Sequence, residues 1–152
     1  MILEKIANLK KLLFIPIILY SLFIIYLSNL ESVPYIIKQF EIKDKILHFF
    51  GFMAYSFLLI ISIYNNELSK YFNTFPNKLK NTFQNIDLSI KYSLIFAVLF
   101  AISDEIHQGF VIGRDADIFD LLADILGILA GIYLFKFIVL KLQQKYDRHQ
   151  NR

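Results

Sequence analysis

Carboxylates, imidazoles and one guanidinium gather in two stretches of this chain, and both stretches adjoin long apolar runs. Asp44, Lys45 and His48 make the first. Asp104, Glu105, His107 and Gln108 open the second, followed by Arg114, Asp115 and Asp117, then Asp120 and Asp124. Acid beside imidazole can shuttle a proton or anchor a polar ligand. A guanidinium presents a planar fork that fits a carboxylate or a phosphate. Helical spacing puts Asp44 with His48, Asp104 with Gln108, and Asp120 with Asp124 on shared faces at i, i+4, and Asp104 with His107 at i, i+3. The catalytic candidates are therefore Asp104, His48 and Glu105. The binding candidates are Lys45, His48, Asp104, Gln108, Arg114, Asp120 and Asp124.

Each of these residues also has a plainer role open to it. Asp44 and Asp120 suit helix N-termini, where the macrodipole favours acids. Lys45 can snorkel to lipid headgroups. Either histidine alone can be a hydrogen-bonded packing residue. Glu105 lies about 100° round the helix from Asp104 and can face the interface. Arg114 either pairs with Asp117, Asp120 or Asp124, or holds an anionic group of a ligand. The chain has no cysteine, which excludes disulfides and thiolate chemistry. Ser28 and Ser103 lack triad context, and no H-E-x-x-H pair is present, so neither a metal nor a cofactor is expected. A net charge of +3 is too small to argue for nucleic acid.

The elements that position these groups are apolar helices. Apolar residues make up 57% of the chain, against about 45–50% in soluble domains. Crossing a bilayer takes about 20 mainly apolar residues. Four runs qualify, at about 12–30, 46–64, 88–112 and 118–140, and predict an all-α, four-transmembrane-helix bundle forming a single domain over 1–152. Pro16 stands near the start of the first run, which is too long for a signal-peptide core and reads as a retained helix. Four crossings put both termini and the loop at 65–91 on one side. That side carries twelve of the sixteen basic residues, while nine of the thirteen acids fall on the other. The basic side is expected to be cytoplasmic. Helical rise then places Asp104 and Asp124 roughly 24 Å across a core about 30 Å thick, at the depth of His48. Ionisable groups at membrane depth are costly and should face one another.

The loop at 65–91 repeats Leu68, Phe72, Phe75, Leu79, Phe83, Ile86 and Ile90 at three- and four-residue steps. That pattern suits short amphipathic helices on the inner leaflet, broken near Pro76, or an irregular loop with scattered aromatics. Gly127 and Gly131 form G-x-x-x-G on the face of Asp124 and invite close helix packing. Gly51 can do the same beside His48.

The run Asp44-Lys45-Ile46-Leu47-His48-Phe49 resembles the D-K-x-x-H-F signature of the VanZ-like family. Asp104-Glu105-Ile106-His107-Gln108-Gly109-Phe110 resembles its D-E-x-x-Q-x-F segment. Arg114, Asp120 and the helix around Gly127 resemble the family's next Arg, Asp and small-residue helix, and Leu27-Ser28 before Pro34 resembles the end of its first helix. Two departures stand out: Asp124 replaces a usual Asn, and Ile112 replaces a usual Pro. The resemblance implies a small bacterial membrane protein, some of whose relatives are associated with teicoplanin resistance. It fits a site toward the outer leaflet for an amphipathic envelope lipid, a lipid-linked cell-wall precursor or a glycopeptide antibiotic. Whether any reaction is catalysed stays open. A non-catalytic partner or sensor with a structural polar cluster is the second expectation, and ion coupling the third.

Overall fold

The computed structural model describes residues 14–30, 41–71 and 78–150. Among these it holds four helices: α1 (Ile15–Ser28), α2 (Glu41–Tyr71), α3 (Lys78–Gln108) and α4 (Ile118–Gln150). Three stretches are long and apolar enough to cross a membrane: Lys43–Tyr64 in α2, Ile86–Gln108 in α3 and Ile118–Leu142 in α4. α1 is apolar but shorter, with 14 residues, roughly 21 Å of helix. Pro16 occupies its first turn, where the missing N–H costs no hydrogen bond. The basic residues at 5, 10 and 11, and Pro34, lie outside the described residues.

The four helices hide polar groups and present apolar ones. Asp104, Glu105, Gln108, Asp120, Asp124, Ser28 and Ser56 are buried, whereas Leu19, Leu47, Phe96, Leu126, Tyr133 and Phe137 are exposed. A water-soluble domain has the reverse order. Only an apolar solvent accepts such an exterior, so burial repeats what composition implies.

α2 and α4 make the most extensive contact, α3 packs on both, and α1 lies on α2 and α3. At the centre Ile60 of α2, Ala97 and Ala101 of α3 and Ile128 of α4 are wholly buried. Tyr55 stacks on Phe100 with centroids 4.6 Å apart, joining α2 to α3. Tyr64 meets Phe135 edge-on at 5.3 Å, joining α2 to α4.

Three boundaries differ from the sequence-based expectation. α2 begins at Glu41, about one turn before the expected start at 46, so Asp44 and Lys45 lie inside the helix and His48 two turns along it. α3 stops at Gln108, short of 112, and a turn with Gly113 at φ 81° comes next. Residues 65–71 and 78–91, expected as a loop with separate interfacial helices, continue α2 and α3 as unbroken helix. Neither stretch holds a proline or glycine, and extending a formed helix is far easier than nucleating a new one. The break expected near Pro76 falls outside the described residues.

Gly127 and Gly131 bring α4 against α2. A Cβ on Gly127 would run into the Phe49 carbonyl oxygen and come within 3.0 Å of the Met53 nitrogen; one on Gly131 would strike Ser56 Oγ and the Met53 carbonyl oxygen. The motif thus serves packing within the bundle. Gly51 differs, since a Cβ there meets nothing within 4 Å; the expected close-packing role for it does not hold. Gly127→Ala and Gly131→Ala should each destabilise the protein by about 1–3 kcal/mol through overpacking, while Gly51→Ala stays within about 0.5 kcal/mol. Thermal unfolding in detergent tests this, and equal midpoints for all three variants would contradict the close approach.

Candidate functional site

Asp117 ties three helices together. Its backbone N–H donates to Glu105 Oε1 of α3. Its Oδ1 accepts the Phe119 N–H at 2.8 Å, capping α4. Its Oδ2 accepts Lys45 Nζ of α2, also at 2.8 Å. Lys45 donates again to Asp120 Oδ1 at 2.9 Å. One ammonium therefore balances two carboxylates, one of them buried. Lys45 turns inward to this pair, and the snorkelling alternative is replaced. The stretch Asp117-Ile118-Phe119-Asp120 carries an N-cap signal, an Asp with an acid three residues on, so sequence could have named Asp117.

One turn deeper, His48 Nδ1 lies 2.9 Å from Asp124 Oδ1. Both side chains are buried, at 8% and 0% exposure. The glycine contact makes this approach possible: Gly127 is one turn beyond Asp124, and its neighbours Phe49 and Met53 flank the next turns of α2. His48 thus partners Asp124 and not Asp104. Glu105, expected at the interface as one alternative, is buried beside them. Glu105 Oε2 and Asp124 Oδ2 are buried without a hydrogen-bond partner among the described residues.

A second chain of bonds runs through the other face of α3. Arg114 Nη1 donates to Gln108 Oε1 at 3.0 Å, Gln108 Nε2 donates to Asp104 Oδ2 at 2.9 Å, and Ser28 Oγ of α1 donates to Asp104 Oδ1 at 2.5 Å. The expected pairing of Arg114 with Asp117, Asp120 or Asp124 is not formed: Lys45 bonds Asp117 and Asp120, His48 meets Asp124, and Arg114 bonds Gln108. Ser28, which sequence offered only as a serine without context, is a direct partner of Asp104. The signal available was its place at the polar end of the first helix. His107 is exposed and contacts Asn29 at 3.1 Å, apart from the buried groups.

Beside this chain lies a cavity of about 270 Å³. Asp44, His48, Asp104, Gln108 and Arg114 supply its polar wall, and Ile24, Leu27, Leu30, Leu47 and Phe52 the apolar remainder. Gly51 lines it too, which explains the open space there. The cavity can receive a polar group attached to an apolar body. Lys45, Asp120 and Asp124, also named as binding candidates, are not among its lining residues.

Lys45 Nζ, with the Phe119 N–H, holds the Asp117 carboxyl below its ordinary 3.8. A carboxyl depressed in the folded state stabilises the fold above its unfolded value and loses that contribution as pH falls through the folded one. Lys45→Met should lower stability at neutral pH by about 1–3 kcal/mol, less than for a fully buried pair, because the lysine side chain is 32% exposed. Below about pH 4 the wild-type advantage should shrink. Unfolding curves across pH 3–7 would show it, and parallel curves for both proteins would contradict the pairing.

The profile of the VanZ/LLP1 family matches residues 1–140. No curated protein and no solved structure matches the chain.

Proposed function

The chain belongs to the VanZ/LLP1 family, and on that premise we propose that its polar end binds the headgroup of an anionic amphiphile whose tail stays among the lipids. One observation carries this: the mixed lining of the cavity, which joins Arg114, Gln108 and Asp104 with Leu27, Leu30 and Leu47. The Arg114 side chain makes one hydrogen bond among the described residues. A guanidinium has five N–H donors, so most remain for a phosphate or carboxylate. Gln108 fixes the fork, and Asp104, braced by Ser28, fixes Gln108. An envelope phospholipid, a lipid-linked cell-wall precursor and a glycopeptide antibiotic such as teicoplanin share this chemistry. A purely structural network accounts for Lys45, Asp117 and Asp120, whose charges pair with one another. It does not account for a cavity beside Arg114.

The same reading puts the cavity toward the extracytoplasmic leaflet, on the strength of the basic excess at the other end. The protein's lack of cysteine makes introduced ones clean reporters. A membrane-impermeant maleimide should label Ala116→Cys in intact cells and Lys145→Cys only after permeabilisation. The opposite pattern would move the cavity to the cytoplasmic side and end the outer-leaflet reading.

Binding is measured by native mass spectrometry with phosphatidylglycerol, a polyprenyl phosphate, teicoplanin and an uncharged diacylglycerol. The wild type should retain at least one anionic amphiphile over the uncharged lipid. Arg114→Gln should weaken that retention at least about tenfold, in line with about 1.5–3 kcal/mol for a hydrogen bond to a charged group. No preference between anionic and uncharged amphiphiles in the wild type would sink the proposal.

A further inference from the structure

The two orphaned carboxylate oxygens belong to one knot. Ligand-capable atoms of His48, Glu105 and Asp124 lie within 4.8 Å of one another, and the three residues come from α2, α3 and α4. Glu105 and Asp124 are 7% and 0% exposed, and each keeps one oxygen without a partner among the described residues. Buried carboxylate oxygens are costly unless something positive or a donor meets them. Lys45 does not serve here, since its ammonium is spent on Asp117 and Asp120.

We infer that His48, Glu105 and Asp124 hold one divalent first-row transition-metal ion, Zn²⁺ or Mn²⁺. Atoms so spaced admit a point within about 2.8 Å of all three, and small side-chain adjustments close this to the roughly 2.0–2.2 Å of Zn–N and Zn–O bonds. One imidazole with two carboxylates suits these ions better than Mg²⁺ or Ca²⁺, which prefer oxygen alone. A dication also balances two carboxylates beside a neutral imidazole. A neighbouring set, Asp44, His48 and Asp120, has comparable spacing. It is the poorer site, because Asp120 already accepts from Lys45 and Asp44 is half-exposed. Sequence spacing hid the site, since its three ligands come from three separate helices. The inference stands apart from the amphiphile proposal, because metal binding is measured with no amphiphile added.

The test uses the full chain, purified in detergent without a polyhistidine tag, stripped with EDTA and titrated calorimetrically with ZnCl₂, MnCl₂ and MgCl₂. The wild type should bind one equivalent of Zn²⁺ or Mn²⁺ at micromolar or tighter affinity, and Mg²⁺ at least tenfold more weakly. Glu105→Gln and Asp124→Asn should each lose at least tenfold, and Asp44→Asn should stay within threefold. X-ray absorption of the zinc-loaded wild type should show one imidazole, which keeps the inference testable if a variant fails to fold. No saturable binding by the wild type overturns it, as do unchanged affinity in Glu105→Gln and Asp124→Asn or a shell of two imidazoles.

Discussion

A charge held among apolar helices has to find its counter-charge within the protein, and that requirement organises this bundle. Water cannot reach Asp124, and lipid offers no donors. The result is a knot at one end of the molecule. Lys45 neutralises Asp117 and Asp120, His48 meets Asp124, and the Asp117 N–H meets Glu105. Each bond joins different helices or joins a helix to the α3–α4 turn. Asp117 is the hub, because its backbone and both carboxylate oxygens serve three elements at once.

Packing and polar chemistry are coupled along the α2–α4 seam. Gly127 and Gly131 let the backbones approach until Phe49, Met53 and Ser56 touch α4. Asp124 is one turn before Gly127, and His48 is next to Phe49. The same close approach that fills the seam thus sets the His48–Asp124 distance. A larger side chain at Gly127 would separate the helices and the His48–Asp124 contact together. This is why small residues and an acid share one face of α4.

α1 stands somewhat apart from that seam. It meets the bundle at its polar end through Ser28 to Asp104 and Asn29 to His107, and near its middle through Tyr20 to the Gly51 carbonyl at 3.2 Å. The cavity lies between α1, α2 and α3 where these contacts leave room. Its polar wall belongs to a chain of bonds from Arg114 to Ser28. That chain shares no residue with the Lys45–Asp117–Asp120 set, and His48 alone both lines the cavity and meets Asp124.

Hydrophobic run length settled the all-α class and the three long spans, because a bilayer demands length and apolarity that sequence displays directly. Helical periodicity also settled that Asp104 pairs with Gln108 and that Gly127 and Gly131 share a face with Asp124, since these relations lie within one helix. Pairings between helices were decided only by the tertiary structure. Sequence left Arg114 among three possible acids, and the fold gave those acids to Lys45 and His48. It left Glu105 free to face outward, and packing buried it. It offered an amphipathic loop at 65–91, where backbone propagation carried α2 and α3 onward in the described stretches. Local spacing records which side chains share a helix face. Which faces meet depends on helix packing and on the competition of several cations for the same carboxylates, and neither is written in any one segment.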